Sequence, residues 1–349
     1  MTAYADLRVL FRAPAGPRRG FGHLVRCRSL ARALGVRPVV AVRGGTVALA
    51  SARQLGCEVV AGRAVDVIRR IAPDVLVVDD PVAADARRWI RCARRAGCRV
   101  VTVHDLGLGA RDGDLVVDGS IVRAARATRG RALRGPRFAI LDPVFASGPR
   151  PAGRGGAPRV LIALGGGPRV ALARAIAQGV RRGAPHAQIR IAGGFAATTA
   201  IGGGPVTWTG PLNGLADELA QCDVAVVGGG VSVYEACACG VAAVAVPVVD
   251  SQRPTVRGVQ ARGVARGATR TPVAEHAARE VLDLLAQPLV RRRLAAHARR
   301  MFDGGGASRV AGAVRRLVQS PVQNRAQAAP HAETTSRAAA VTGAARRAS

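Results

Sequence analysis

The segment Asp223-Val-Ala-Val-Val-Gly-Gly-Gly-Val-Ser-Val-Tyr-Glu235 passes without a break from an apolar, β-branched run into three glycines and then into residues with helical spacing. A buried strand, a glycine turn and a helix in direct succession form the repeating joint of a parallel α/β sheet. A diphosphate can approach such a turn closely because no Cβ stands in its way. The helix that follows offers free N–H groups and the positive end of its dipole. Glu235, one turn further on, has two readings. It can accept hydrogen bonds from ribose hydroxyls, or it can return to Ser232 in a Ser-x-x-Glu capping box. Both claim the same carboxylate, and both stay open at this point.

The same alternation extends in both directions. Toward the C-terminus a strand is expected at Ala243 to Val246. Toward the N-terminus strands are expected at Val206 to Trp208, Ile189 to Ala192 and Val160 to Leu164, with helices near Val170 to Arg181, Leu212 to Gln221 and Ser232 to Cys239. The Pro/Gly/Arg-rich residues 147–158 read as a linker. Before it lie strands at Leu7 to Phe11, Val39 to Val42, Val75 to Val78 and Val100 to Val103, and helices near Leu24 to Leu34, Thr46 to Leu55 and Ala84 to Ala96. The expected organisation is an N-terminal domain at 1–146, the linker, a C-terminal domain at 159–318 and a disordered Ala/Arg-rich tail at 319–349. The expected fold class is α/β, with two Rossmann-like doubly wound domains facing across a cleft.

Three further segments carry polar groups at expected strand ends. Gly20-Phe-Gly-His-Leu-Val-Arg26 opens the first helix, where His23 is a candidate general base because an imidazole titrates near neutrality. Val25 stands where the dinucleotide fingerprint needs a third glycine, and the Gly-Lys-Ser/Thr of a P-loop is missing, so neither motif is met. Pro247-Val-Val-Asp-Ser-Gln-Arg-Pro254 follows the last strand of the second domain. Asp79-Asp80 and His104-Asp105 close two strands of the first, where they could bind a metal or activate water but read best as loop and N-cap residues.

Composition narrows the function classes. The formal charge is +30, yet all 52 basic residues are Arg, spread along the chain, and aromatics make up 3%. Binders of single-stranded nucleic acid interleave cations with stacking aromatics, so no specific nucleic-acid partner is expected. A basic cleft for an anionic small substrate accounts for the charge equally well. The 7 cysteines lack C-x-x-C spacing, so no disulfide framework, zinc site or other metal is expected. No signal peptide or membrane span is read from the chain, and the cytoplasm is the expected location.

Taken together these residues resemble the UDP-sugar hydrolases of pseudaminic acid biosynthesis and the related spore-coat polysaccharide biosynthesis proteins. The landmarks are Arg12 with Gly20 to Arg26, Gly135 to Phe145, Leu164-Gly-Gly166, Asn213 to Asp223, Gly230 to Glu235, Gln252, and Asp303 to Arg309. Pro14 and Ser251 depart from the family, which commonly carries Asp and Asn there. The resemblance implies a glycosyltransferase B-like architecture, a UDP-sugar substrate and no cofactor. It also implies a reaction in which His23 assists water in displacing UDP. Arg12, Gly20 and Gly22 would contact substrate from the first domain, and Asn213, Gly229, Gly230, Ser232, Glu235 and Gln252 from the second. A glycosyltransferase using a UDP-sugar donor is the alternative on the same architecture, and a polyanion- or nucleic-acid-binding module is a remote third.

Overall fold

A computed structural model describes residues 7–16, 20–104, 112–122, 131–147, 156–165, 169–193, 206–209 and 214–320. Asn213, Asp105, Gly166, most of the expected linker and the tail beyond 320 lie outside these residues. The first half runs β1 (Val9–Pro14), α1 (Gly22–Leu34), β2 (Val39–Arg43), α2 (Thr46–Gln54), β3 (Glu58–Val60), α3 (Ala64–Ile71), β4 (Val75–Val78), α4 (Ala83–Arg95), β5 (Arg99–His104), β6 (Leu115–Asp118), β7 (Arg131–Arg134) and the short α5 (Val144–Ser147). The second half runs β8 (Arg159–Ala163), α6 (Val170–Gly183), β9 (Gln188–Ala192), β10 (Val206–Thr209), α7 (Ala216–Ala220), β11 (Val224–Gly228), α8 (Val231–Cys239), β12 (Ala242–Val246), α9 (Arg253–Ala261), β13 (Arg266–Gly267), α10 (Val273–Ala286), α11 (Pro288–Met301) and α12 (Gly306–Gln319).

The seven strands of the first sheet lie in the order β3-β2-β1-β4-β5-β6-β7 and the six of the second in the order β10-β9-β8-β11-β12-β13, all parallel. Counted within each half, both begin 3-2-1-4-5-6, so the expected pair of doubly wound Rossmann-like sheets is the observed fold. In each, the order reverses at one place: between β1 and β4, and between β8 and β11. Open parallel sheets bind ligands at that reversal, beyond the carboxyl ends of the strands.

Side-chain parity along β1 and β4 decides what reaches that edge. Val9, Phe11 and Ala13 face the core shared with α1, whereas Leu10 faces the core shared with α3 and α4. Arg12 keeps the parity of Leu10 and turns toward α4. It donates to Asp85 (Nε, 3.0 Å) and to the Ala41 carbonyl (3.2 Å), and lies 5.0 Å from the Trp89 ring centroid. On β4, Val75 and Val77 face α1, and Asp79 continues their side. Asp80 keeps the other and is held by Arg43 (2.8 and 2.5 Å).

Much of the Arg excess lies on solvated helix faces. On α4, Ala86, Trp89, Ile90 and Ala93 are buried at helical spacing, while Arg87, Arg88, Arg91, Arg94 and Arg95 are exposed. All seven cysteines are free. Among the described residues no helix is long and apolar enough to cross a membrane.

The C-terminal element departs from the domain limits read in the sequence. Residues 159–318 were assigned to one domain, but Ala307, Val310, Ala311, Ala313 and Val314 of α12 lie in the core of the first sheet beside α1. The turn leading into α12 is moulded to the first half: a Cβ on Gly304 would stand 2.4 Å from the Phe145 carbonyl oxygen, and Arg309 both pairs with Asp303 and donates to the Arg137 carbonyl. The helix is therefore returned by packing to the half in which the described chain starts. Between the halves, Tyr234 of α8 accepts from the Ile121 amide (3.2 Å) and stacks on Phe302, with ring centroids 4.7 Å apart.

Candidate active site

In the first half, α1 starts immediately after the tight pairing of Gly16 with Gly20, where Gly20 has φ +80°. Its N-cap, Phe21, supplies no side-chain bond, and its first turn holds no acidic residue, so free amides and dipole are uncompensated there. His23 is its second residue. Nδ1 of His23 lies 2.8 Å from Oδ1 of Asp79, which projects from the end of β4. Arg26, one turn along α1, forks onto the same carboxylate, Nε to Oδ2 and Nη2 to Oδ1, each at 2.8 Å. Burial alone would push the Asp79 carboxyl up, but the charges of Arg26 and His23 and their hydrogen bonds outweigh it and hold the group well below the usual carboxylate range. An ionised Asp79 only accepts, so the proton of a neutral His23 is assigned to Nδ1, which leaves Nε2 as the ring's acceptor. Arg26 Nη2 also reaches Nδ1 at 2.9 Å, so the guanidinium touches the ring as well as the carboxylate that holds it.

In the second half the reversal is built from backbone. Gly165, with φ +92°, follows β8, and Gly228, Gly229 and Gly230 lead from β11 into α8. The N-cap of α8 is Gly230, again with no side-chain bond and no acidic first turn. Ser232 is thus the second residue of the helix, and the capping box left open by the sequence is not formed. Gly229 is required by close packing, since a Cβ would stand 2.5 Å from Val256 Cγ2. A Cβ on Gly230 would meet Gln252 Nε2 at 3.4 Å, an ordinary contact. Gln252 accepts from the Val248 amide (3.1 Å), which fixes the loop after β12 against the glycines.

Glu235 is buried, and among the described residues its carboxyl has no hydrogen-bond partner. Burial, with the nearby Asp142 adding to it and Arg28 opposing, pushes it up to about 7. Asp142 is itself held by Arg32 (2.6 Å) and Arg28 (3.4 Å), both on α1.

The two reversals face one cavity of about 790 Å³. The helix starts converge: a Cβ on Gly22 would lie 3.3 Å from Val231 Cγ2, the first residue of α8. Of the residues expected from the sequence, His23, Gly20, Gly22, Gly229, Gly230, Ser232, Glu235 and Gln252 line this cavity together. Arg12 does not, for the parity reason given above, and Asn213 lies outside the described residues. Sequence reasoning passed over Asp79, which it took for a loop or N-cap residue, and Arg28, Asp142 and Arg169, which also line the cavity. The one signal for Asp79 was an acid directly after an apolar strand. Its pairing with His23, 56 residues away, is visible only in the fold. Among the described residues no cluster of three or more His, Cys, Asp or Glu is placed to hold a metal ion.

Fold and site define a two-domain protein of glycosyltransferase B-like architecture. No protein-family model matches the chain, and no curated protein matches it either. Solved structures do. The spinosyn rhamnosyltransferase SpnG complexed with thymidine diphosphate is 19% identical, with TM-score 0.61, covering 89% of this chain and 100% of that one. The spinosyn forosaminyltransferase SpnP is 18% identical, with TM-score 0.60, covering 90% and 100%. MurG of Acinetobacter baumannii is 15% identical, with TM-score 0.56, covering 88% and 99%. At these identities the likeness establishes the fold. The neighbours also correct one expectation: the UDP-sugar hydrolase implied by the sequence resemblance is not sustained, because SpnG and SpnP, matched along their whole length, are sugar transferases. The physical reason is that the motifs behind that resemblance build a glycine turn and place an imidazole. Neither feature distinguishes water from a sugar-accepting alcohol.

Proposed function

We propose that the chain is a glycosyltransferase that moves a sugar from a uridine or thymidine diphosphate donor to an acceptor hydroxyl. The observation that carries this reading is a fold shared with sugar transferases in which His23 pairs with Asp79 on one wall of the cavity, opposite the uncapped start of α8 on the other. The donor diphosphate would lie over Gly229, Gly230 and Ser232, where backbone N–H groups and the dipoles of α8 and α1 favour negative charge. Glu235 would accept from the ribose hydroxyls and Gln252 would border the donor.

Nε2 of His23 would take the proton of the acceptor hydroxyl as its oxygen bonds to the anomeric carbon and the bond from that carbon to the diphosphate oxygen breaks. The electron pair leaves with the diphosphate, where charge develops against donors already in position. Asp79 stays ionised throughout and stabilises the imidazolium. The likeness in fold to a rhamnosyltransferase and a forosaminyltransferase supports an alcohol as the acceptor.

The test is release of nucleoside diphosphate from UDP- and dTDP-sugars, followed with and without a panel of hydroxylated acceptors. Release that depends on the acceptor, with a glycosylated product seen by mass, is the expected result. Release at the same rate in water alone would overturn the reading.

A further inference from the structure

We propose that Arg26 is the positioning residue of the His23–Asp79 pair, holding the Asp79 carboxylate in the one orientation that keeps the ring proton on Nδ1 and leaves Nε2 for the cavity. This rests on the transferase reading for its chemistry, but its geometry is independent of that reading. Arg26 follows His23 by one helical turn, so both side chains leave the same face of α1. Its guanidinium meets both carboxylate oxygens at 2.8 Å in the planar fork that fixes a carboxylate's rotation as well as its charge. The Asp79 and Arg26 side chains are 3% and 11% exposed, so water substitutes poorly for either partner.

A carboxyl buried beside an imidazole has an alternative to ionisation. It can take a proton and donate it to Nδ1, which moves the ring proton to Nε2 and removes the acceptor from the cavity side. Burial drives Asp79 that way, and Arg26 is foremost among the groups that prevent it. The other groups facing Asp79 are His23 and the Cys27 thiol, both from α1. Asp80, next in sequence, is turned away to Arg43 and Arg12. Although Arg26 lines the cavity, its fork is committed to Asp79 rather than to a bound anion.

The test compares wild type, Arg26→Gln and Arg26→Lys in the full chain. In substrate-free protein, ¹⁵N spectra of labelled histidine assign the proton of His23: on Nδ1 in wild type and Arg26→Lys, and on Nε2 or divided between the two in Arg26→Gln. In transfer assays Arg26→Gln is expected to lose at least about tenfold in kcat, with donor KM within about twofold, and Asp79→Asn added to it should cost little more. An unchanged ring tautomer in Arg26→Gln overturns the proposal. So does a raised donor KM with kcat intact, which would make Arg26 a donor-binding residue. Should Arg26→Gln fail to fold, loss of the Nδ1 proton in Arg26→Lys, which keeps the charge, would also overturn it. If no acceptor is ever glycosylated, the transferase reading fails while the ¹⁵N result still decides the role of Arg26.

Discussion

Where strand order reverses in the first sheet, the chain presents ionisable side chains: His23, Asp79 and Arg26 within 2.9 Å of one another. Where it reverses in the second, it presents bare backbone, Gly228 to Gly230 and the uncapped start of α8. On the proposed reading one topology serves twice, once to hold and move a proton and once to receive an anion on backbone groups. The lesson is that the sheet supplies the position and local chemistry supplies the role. Substitutions in the first half should therefore act on rate, and those in the second on binding or packing.

His23→Ala tests the division most severely. We expect kcat to fall by about 10³-fold while donor affinity, measured by calorimetry, changes little. An equal loss of affinity would collapse the comparison. Glu235 comes next, as the one titrating group here that belongs to the second half. Its folded value of about 7 stands above the ordinary 4.5, so the unfolded chain ionises first. Stability then falls as pH rises from about 4.5 through about 7, by up to about 3 kcal/mol, and levels off above. Glu235→Gln should flatten that fall in denaturant titrations across the range. In the wild type, donor affinity should rise through the same window as the carboxylate that accepts from ribose forms.

Gly229→Ala drives a methyl into Val256 and should cost about 1–3 kcal/mol, read as a lowered thermal midpoint. Gly230→Ala meets only an ordinary contact, so stability should stay within about 0.5 kcal/mol while donor binding weakens. Equal destabilisation by the two would show that neither glycine is there for a ligand. Ser232→Ala should perturb stability least, because the hydroxyl caps nothing; a loss of about 1 kcal/mol or more would restore the cap.

The sequence carried the second sheet well because β8, β11 and β12 are continuous apolar runs bounded by glycine. β3, β6, β7 and β13 were not among the expected strands: Glu58-Val-Val60 and Arg266-Gly267 are three and two residues long, Arg131-Ala-Leu-Arg134 has no apolar run, and Leu115-Val-Val-Asp118 is apolar but only four residues long. Ser232-x-x-Glu235 has the spacing of a capping box, but the N-cap is Gly230, two residues earlier, and frame cannot be read from spacing alone. Arg12 and Asp79 were misjudged in opposite senses for one reason. Each lies on or just after a strand whose parity can be counted, but which face looks to α1 is known only once the helices are placed.

The return of α12 to the first core bears on how the two halves are held. The second sheet is in effect an insertion, joined to the first half by one crossing after Phe145 and another before Gly306. The crossings are braced as well as threaded: Ile121, Ala139, Leu141 and Phe145 share one core with α8, β11 and β12, so the place where the chain passes from one sheet to the other is clamped by side chains of both.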